Sequence, residues 1–156
     1  MGAEAAARVV ADADVLAADL CCDGPSREAM DHVRRHDWVT LVASDHLLDD
    51  AAAVIAALTD ASLAADWRER IEREREPVDH PATDHPGLAS AYRGQAAHLL
   101  SFDEGLGSVD AGANLNRRMS VSIRTPDAFA RLFDAESLYE AVVGDEYPGP
   151  DRDPRA

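Results

Sequence analysis

Short apolar runs alternate along the chain with longer stretches of helical period. Arg8–Ala13 contains Val9-Val10-Ala11, an apolar run that suits a short buried strand. Asp14–Cys22 continues as a helix or helical turn, and Asp23-Gly24-Pro25-Ser26 is a turn with helix-start chemistry. Glu28–His36 reads as a helix carrying Ala29, Met30 and Val33, and Trp38–Ala43 as a second β-rich run. Ser44 is predicted to cap a helix over Asp45–Leu58, where Leu47, Leu48, Ala51, Val54, Ile55 and Leu58 follow the helical period. Ala61–Glu76 reads as a charged helix with Arg68–Glu72, Glu69–Arg73 and Arg70–Glu74 four residues apart.

A loop is expected over Pro77–Pro86, then a small-residue helix, Gly87–Ala97, and a third strand, His98–Phe102. Glu104–Asn116 reads as a Gly-rich, mobile connection, and Met119–Ile123 as a fourth strand. Thr125 and Pro126 start a helix over Asp127–Phe133, with another over Ser137–Val143. Strands alternating with helices predict an α/β fold of three layers, with a mostly parallel central sheet of four or five strands. Residues 1–7 form an Ala-rich lead, 8–143 one domain, and 144–156 a Pro/Asp/Arg tail expected to be disordered.

Charge modifies this picture. Thirty acids oppose fifteen bases, a formal net charge of -15, and every base is Arg. The excess reads as a solvated surface adapted to high internal salt, in the style of salt-loving archaea. Such a charge repels phosphates over about 10 Å at low salt and only about 3 Å at 1 M. A nucleic-acid substrate therefore stays open, with weak non-specific binding. Cys21 and Cys22 read as reduced, partly buried thiols of a cytoplasmic protein. No apolar run has the length of a membrane span, and no signal peptide is visible.

Candidate chemistry lies in four acids. Asp12 ends the run Val9-Val10-Ala11, and Asp103 ends Leu99-Leu100-Ser101-Phe102. In an open parallel sheet, ligands bind beyond the carboxyl ends of the strands, so neighbouring strands would aim both acids at one rim. The bland alternative is that each caps the next helix. On a helical wheel Asp50 lies about 100° from the apolar centre and Asp49 about 160°, so Asp50 reaches the core edge and Asp49 faces solvent. Asp84 precedes His85-Pro86 and either caps the next helix or binds metal. Carboxylates gathered about 4 Å apart repel by roughly 4 kcal/mol at an effective dielectric of 20, so the group needs a cation. Oxygen-only ligation suits Mg²⁺ or Mn²⁺.

The order of these motifs resembles the PIN-domain family. Val9-Val10-Ala11-Asp12-Ala13-Asp14-Val15-Leu16 matches its opening strand and acid, and Asp50 in Ser44-Asp45-His46-Leu47-Leu48-Asp49-Asp50 its second acid. Asp84-His85-Pro86-Gly87 matches the third, Ser101-Phe102-Asp103 the fourth, and Thr125-Pro126 the closing helix start. Asp50 stands where Glu is usual, Asp14 where Asn or Ser is, and Ser101 where Thr is. The resemblance implies a PIN-like, Mg²⁺- or Mn²⁺-dependent nuclease hydrolysing phosphodiesters of RNA. Asp12, Asp84 and Asp103 would hold metal, and Asp50 would act directly or through water. Ser101, Asp14 and Glu104 would support them, and Arg68, Arg70, Arg73, Arg75 or Arg93 would contact phosphate. Ion pairing with nearby glutamates is the competing role for those arginines.

Many relatives are toxins paired with antitoxins, and pairing into homodimers is expected. The rival within this resemblance is a catalytically degenerate domain that binds RNA or protein. A haloacid-dehalogenase-type phosphatase, suggested by Asp12-Ala13-Asp14, is demoted because the chain has no Lys. His80 and His85 read as solvated loop histidines.

Overall fold

The computed structural model describes residues 3–103, 106 and 121–155. Glu104, the 104–116 connection apart from Leu106, and the start of the expected fourth strand lie outside the described residues. A 3₁₀ turn, Ala3–Ala7, leads into β1 (Arg8–Ala11), α1 (Ala13–Cys21) and α2 (Pro25–Arg34). Next come β2 (Thr40–Ser44), α3 (Asp45–Leu58), α4 (Ala61–Glu74) and β3 (Arg75–Val78). After these follow α5 (Pro86–Arg93), β4 (His98–Leu100) and β5 (Ser122–Arg124). The last two described helices are α6 (Pro126–Leu132) and α7 (Ala135–Val142).

Among the described residues the sheet has five strands in the order β3-β2-β1-β4-β5, every pair parallel. The fold is thus α/β, with helices flanking an all-parallel sheet, as the alternation of elements predicts. β1 lies at the centre, and its Val9, Val10 and Ala11 are buried with Leu41, Val42, Leu99 and Leu100 of its neighbours. Parallel strands covered on both faces require such continuous apolar runs. The core extends through Leu16, Met30, Leu47, Leu48, Ile55 and Leu88 on the helices.

β3 is the element the sequence hides, because the Arg/Glu pattern of α4 runs into it without a break. Arg75 ends the helix: its side chain turns inward, 8% exposed, donates to the Ala43 carbonyl at 2.9 Å, and pairs with Asp45 and Glu72. Pro77, expected in a loop, occupies this edge strand, where a missing N–H is tolerated.

Residues 144–155, expected as a loose tail, run along α2 instead. The Tyr147 hydroxyl meets His36 Nε2 at 2.7 Å, the Asp151 and Arg152 amides donate to the Arg35 carbonyl, and Arg155 pairs with Asp31 at 2.8 Å. Cys21 and Cys22 are free and exposed rather than partly buried. Among the described residues, no helix is long and apolar enough to cross a membrane.

Candidate functional site

In the order β3-β2-β1-β4-β5, chain direction across the sheet reverses between β1 and β4. That switch point, beyond the carboxyl ends of the two strands, is where an open α/β sheet leaves a crevice. Pairing of Ala11 with Leu100, continued by a bond from the Asp12 amide to the Leu100 carbonyl at 2.9 Å, sets Asp12 beside Ser101. The Ser101 hydroxyl donates to Asp12 Oδ2 at 2.7 Å and accepts the Asp103 amide at 3.0 Å. Asp12 stands at the N-cap position of α1, yet its side chain makes no capping bond. Its carboxylate faces the crevice.

A cavity of about 220 Å³ opens here, lined by Asp12, Ala13, Asp14, Leu47, Asp50, His85, Pro86, Ser101, Phe102 and Asp103. Asp50 reaches it from α3, one residue beyond Asp49, which turns away to pair with Arg68 at 3.2 Å. The third wall is the start of α5. There the cap is His85, whose Nδ1 accepts the Leu88 amide at 3.2 Å. Asp84, one residue earlier, is not among the lining residues; its amide closes a turn on the Pro81 carbonyl at 3.1 Å. His85 therefore occupies the position in the wall for which the sequence offered Asp84.

Gly87, in the first turn of α5, makes this arrangement fit. A Cβ there would collide with Asp12 Oδ1 and come within 3.2 Å of His85 Cε1. Burial raises the Asp12 pKa above the ordinary carboxylate value; the Ser101 bond and His85 oppose the rise, while Asp14 and Asp103 add to it. The pocket thus concentrates more negative charge than its own groups offset. Among the described residues, no three His, Cys, Asp or Glu groups stand close enough to hold a metal ion by themselves.

The arginines read as phosphate contacts are committed elsewhere. Arg68 pairs with Asp45, Asp49 and Glu72, Arg70 with Glu74, Arg73 with Glu69, and Arg75 with Asp45 and Glu72. Arg93 ends α5, whereas the cavity meets the start of that helix, and it lines a different cavity with Arg8 and Glu76. His80, expected to be solvated, is 6% exposed and bonds Ser44 Oγ at 2.7 Å and the Pro81 carbonyl at 2.8 Å. It ties the loop before α5 to the end of β2.

Sequence reasoning missed His85 as part of the wall and Gly87 as the residue that leaves room for Asp12. The available signal was His directly before Pro, which marks the residue preceding a helix start. A family model described as a family of unknown function, DUF7384, matches residues 3–155. No curated protein and no solved structure gives a significant match.

Proposed function

Because the chain belongs to DUF7384, a family of unknown function, we infer its role from the site and propose a metal-dependent phosphodiesterase acting on RNA. The observation that carries this reading is the convergence of Asp12, Asp14, Asp50 and Asp103 on one cavity at the sheet's switch point. The motifs that resemble PIN-like nucleases supply most of that wall.

The donor set fits Mg²⁺ or Mn²⁺: hard oxygens, a carboxylate whose charge is disfavoured by burial and acidic neighbours, and a cradle kept open by Gly87. Mg²⁺ is commonly held by one or two carboxylates together with waters and substrate phosphate, so a preformed three-ligand cluster is not required. Asp12 and Asp103 would hold the cation, with Asp50 and Asp14 contributing through water. When bound, it would supply a Lewis acid and a more acidic water. Ser101 fixes the Asp12 carboxylate and the Asp103 backbone in one unit, so both acids face the same phosphate. In the reaction, water adds to phosphorus and one P–O ester bond breaks, leaving a phosphomonoester and a hydroxyl. Asp50, exposed on the cavity wall, is placed to accept the proton of the attacking water.

The test is cleavage of single-stranded RNA by the full chain in Mg²⁺ or Mn²⁺ against a chelator. Loss of a cation ligand removes several kcal/mol of transition-state stabilisation, so Asp12→Asn and Asp103→Asn should each slow cleavage by roughly 100-fold or more while remaining folded. Cleavage that survives chelation, or persists in both variants, overturns the proposal. A second reading, a catalytically silent RNA-binding module, draws on the lack of a three-ligand cluster among the described residues. Intact RNA that is nevertheless bound with Mn²⁺ present would favour it.

A further inference from the structure

A second cavity, of about 320 Å³, lies between β5 and the helices α6 and α7 and shares no lining residue with the acidic one. Its walls include Phe129, Phe133 and Leu138, and Leu132 lines it while remaining 64% exposed. The volume and apolar lining are those of a small-molecule site. Two polar features turn it from a gap in the packing into a recognition surface.

The first is Arg124. Among the described residues it has no acidic partner, whereas Arg34, Arg68 and Arg75 each bind two or more acids. Asp134 lines the same cavity, but its two oxygens accept the Ser137 amide at 3.2 Å and hydroxyl at 2.8 Å. The second is His98. Its Nε2 lies 3.1 Å from the Ala6 carbonyl, which only accepts, so Nε2 carries the proton and Nδ1 is an acceptor. That Nδ1 is buried out of reach of the cavity and has no hydrogen-bond partner among the described residues, so His98 contributes a neutral ring beside Arg124. Leu100 pairs in register with Arg124, and His98 with Ser122, so Arg124 and His98 share one face of the sheet, two residues apart along it. Burial and the Arg124 charge hold the His98 pKa below the ordinary histidine value, which keeps the ring neutral.

A cation without an acidic partner among the described residues and an apolar wall define complementary chemistry. We propose that this cavity binds a small carboxylate with an apolar or aromatic body. The carboxylate lies on Arg124, beside the neutral His98 ring, and the body packs against Phe129, Leu132 and Leu138. The site is independent of the phosphodiesterase reading.

Phenyllactate is the probe, titrated into the isotope-labelled full chain and followed by NMR. Saturable shifts are expected at residues 98, 124 and 129. The His98 imidazole pKa should rise, because the bound anion offsets Arg124. Phenyllactamide, lacking the charge, should bind about 10-fold more weakly, in keeping with the strength of charge-assisted hydrogen bonds. Arg124→Gln should erase that difference. Ala141→Trp, at an exposed lining position, should block both ligands. Equal affinity for acid and amide, binding that survives Ala141→Trp, or no saturable binding overturns the proposal. So does a dimer in sedimentation that Leu132→Asp disperses, since the face would then belong to a second copy.

Discussion

A carboxylate set against the start of a helix needs space that only glycine leaves. At Gly87 an alanine would ordinarily favour a helix, yet its Cβ would enter the space of Asp12 Oδ1. The collision decides the sign. Gly87→Ala should destabilise the fold by about 1–3 kcal/mol in urea titration and blunt the stabilisation given by Mn²⁺. An unchanged midpoint with an intact Mn²⁺ response would show that the carboxylate moves aside freely.

Asp12 itself is held against its own ionisation. Its pKa is raised in the folded chain, so the native state binds the proton more readily than the unfolded one. Stability from this group is therefore greatest below the unfolded value and falls as pH rises through the folded one. Asp12→Asn should stabilise the metal-free protein at neutral pH by on the order of 1 kcal/mol while lowering the proposed cleavage, and the gain should vanish in acid. A neutral-pH loss of stability would contradict this. At this scale the sequence was readable where a strand end or a helical wheel aimed the side chain, as for Asp12, Asp103 and Asp50. It was not readable where α5 packs over β1, because a one-residue difference there decides whether Asp84 or His85 meets the cavity.

Elements are joined by a few committed charges. Arg34, on α2, bridges Asp19 of α1 at 2.6 Å and Asp31 of its own helix at 2.7 Å, and Asp19 is 7% exposed. Removing one member of a buried pair strands the other, which costs about 3–5 kcal/mol. Arg34→Met should therefore lower the urea midpoint strongly, and Arg34→Met with Asp19→Leu should recover much of the loss. A single variant as stable as the parent would remove the role of this bridge. The boundary between α4 and β3 shows why periodicity fell short. Charges repeating every four residues continue past the helix end, and only the inward turn of Arg75 reveals the strand. The 144–155 segment was misread for a similar reason: its polar composition suits solvent, but its partners include main-chain carbonyls, His36 and Asp31, which no composition records.

The whole molecule carries a net charge of -15, and many of its ion pairs are exposed. Such pairs contribute little individually, whereas the summed repulsion among unpaired acids opposes compaction. Raising KCl from about 0.1 M to 1 M shortens the reach of that repulsion from about 10 Å to 3 Å. The thermal midpoint should rise by several degrees, the shift expected for on the order of 1 kcal/mol in a chain of this size. A midpoint that falls with salt would mean that the exposed pairs, not the repulsion, dominate.

The placement of β1 between β2 and β4 also orders events during synthesis. Asp12 leaves the ribosome 89 positions ahead of Ser101, and the strand that seats Ser101 cannot dock sooner. A nascent chain therefore lacks the acidic crevice until β4 has emerged. Whatever chemistry that crevice performs is acquired only after β4 has been made and has docked beside β1.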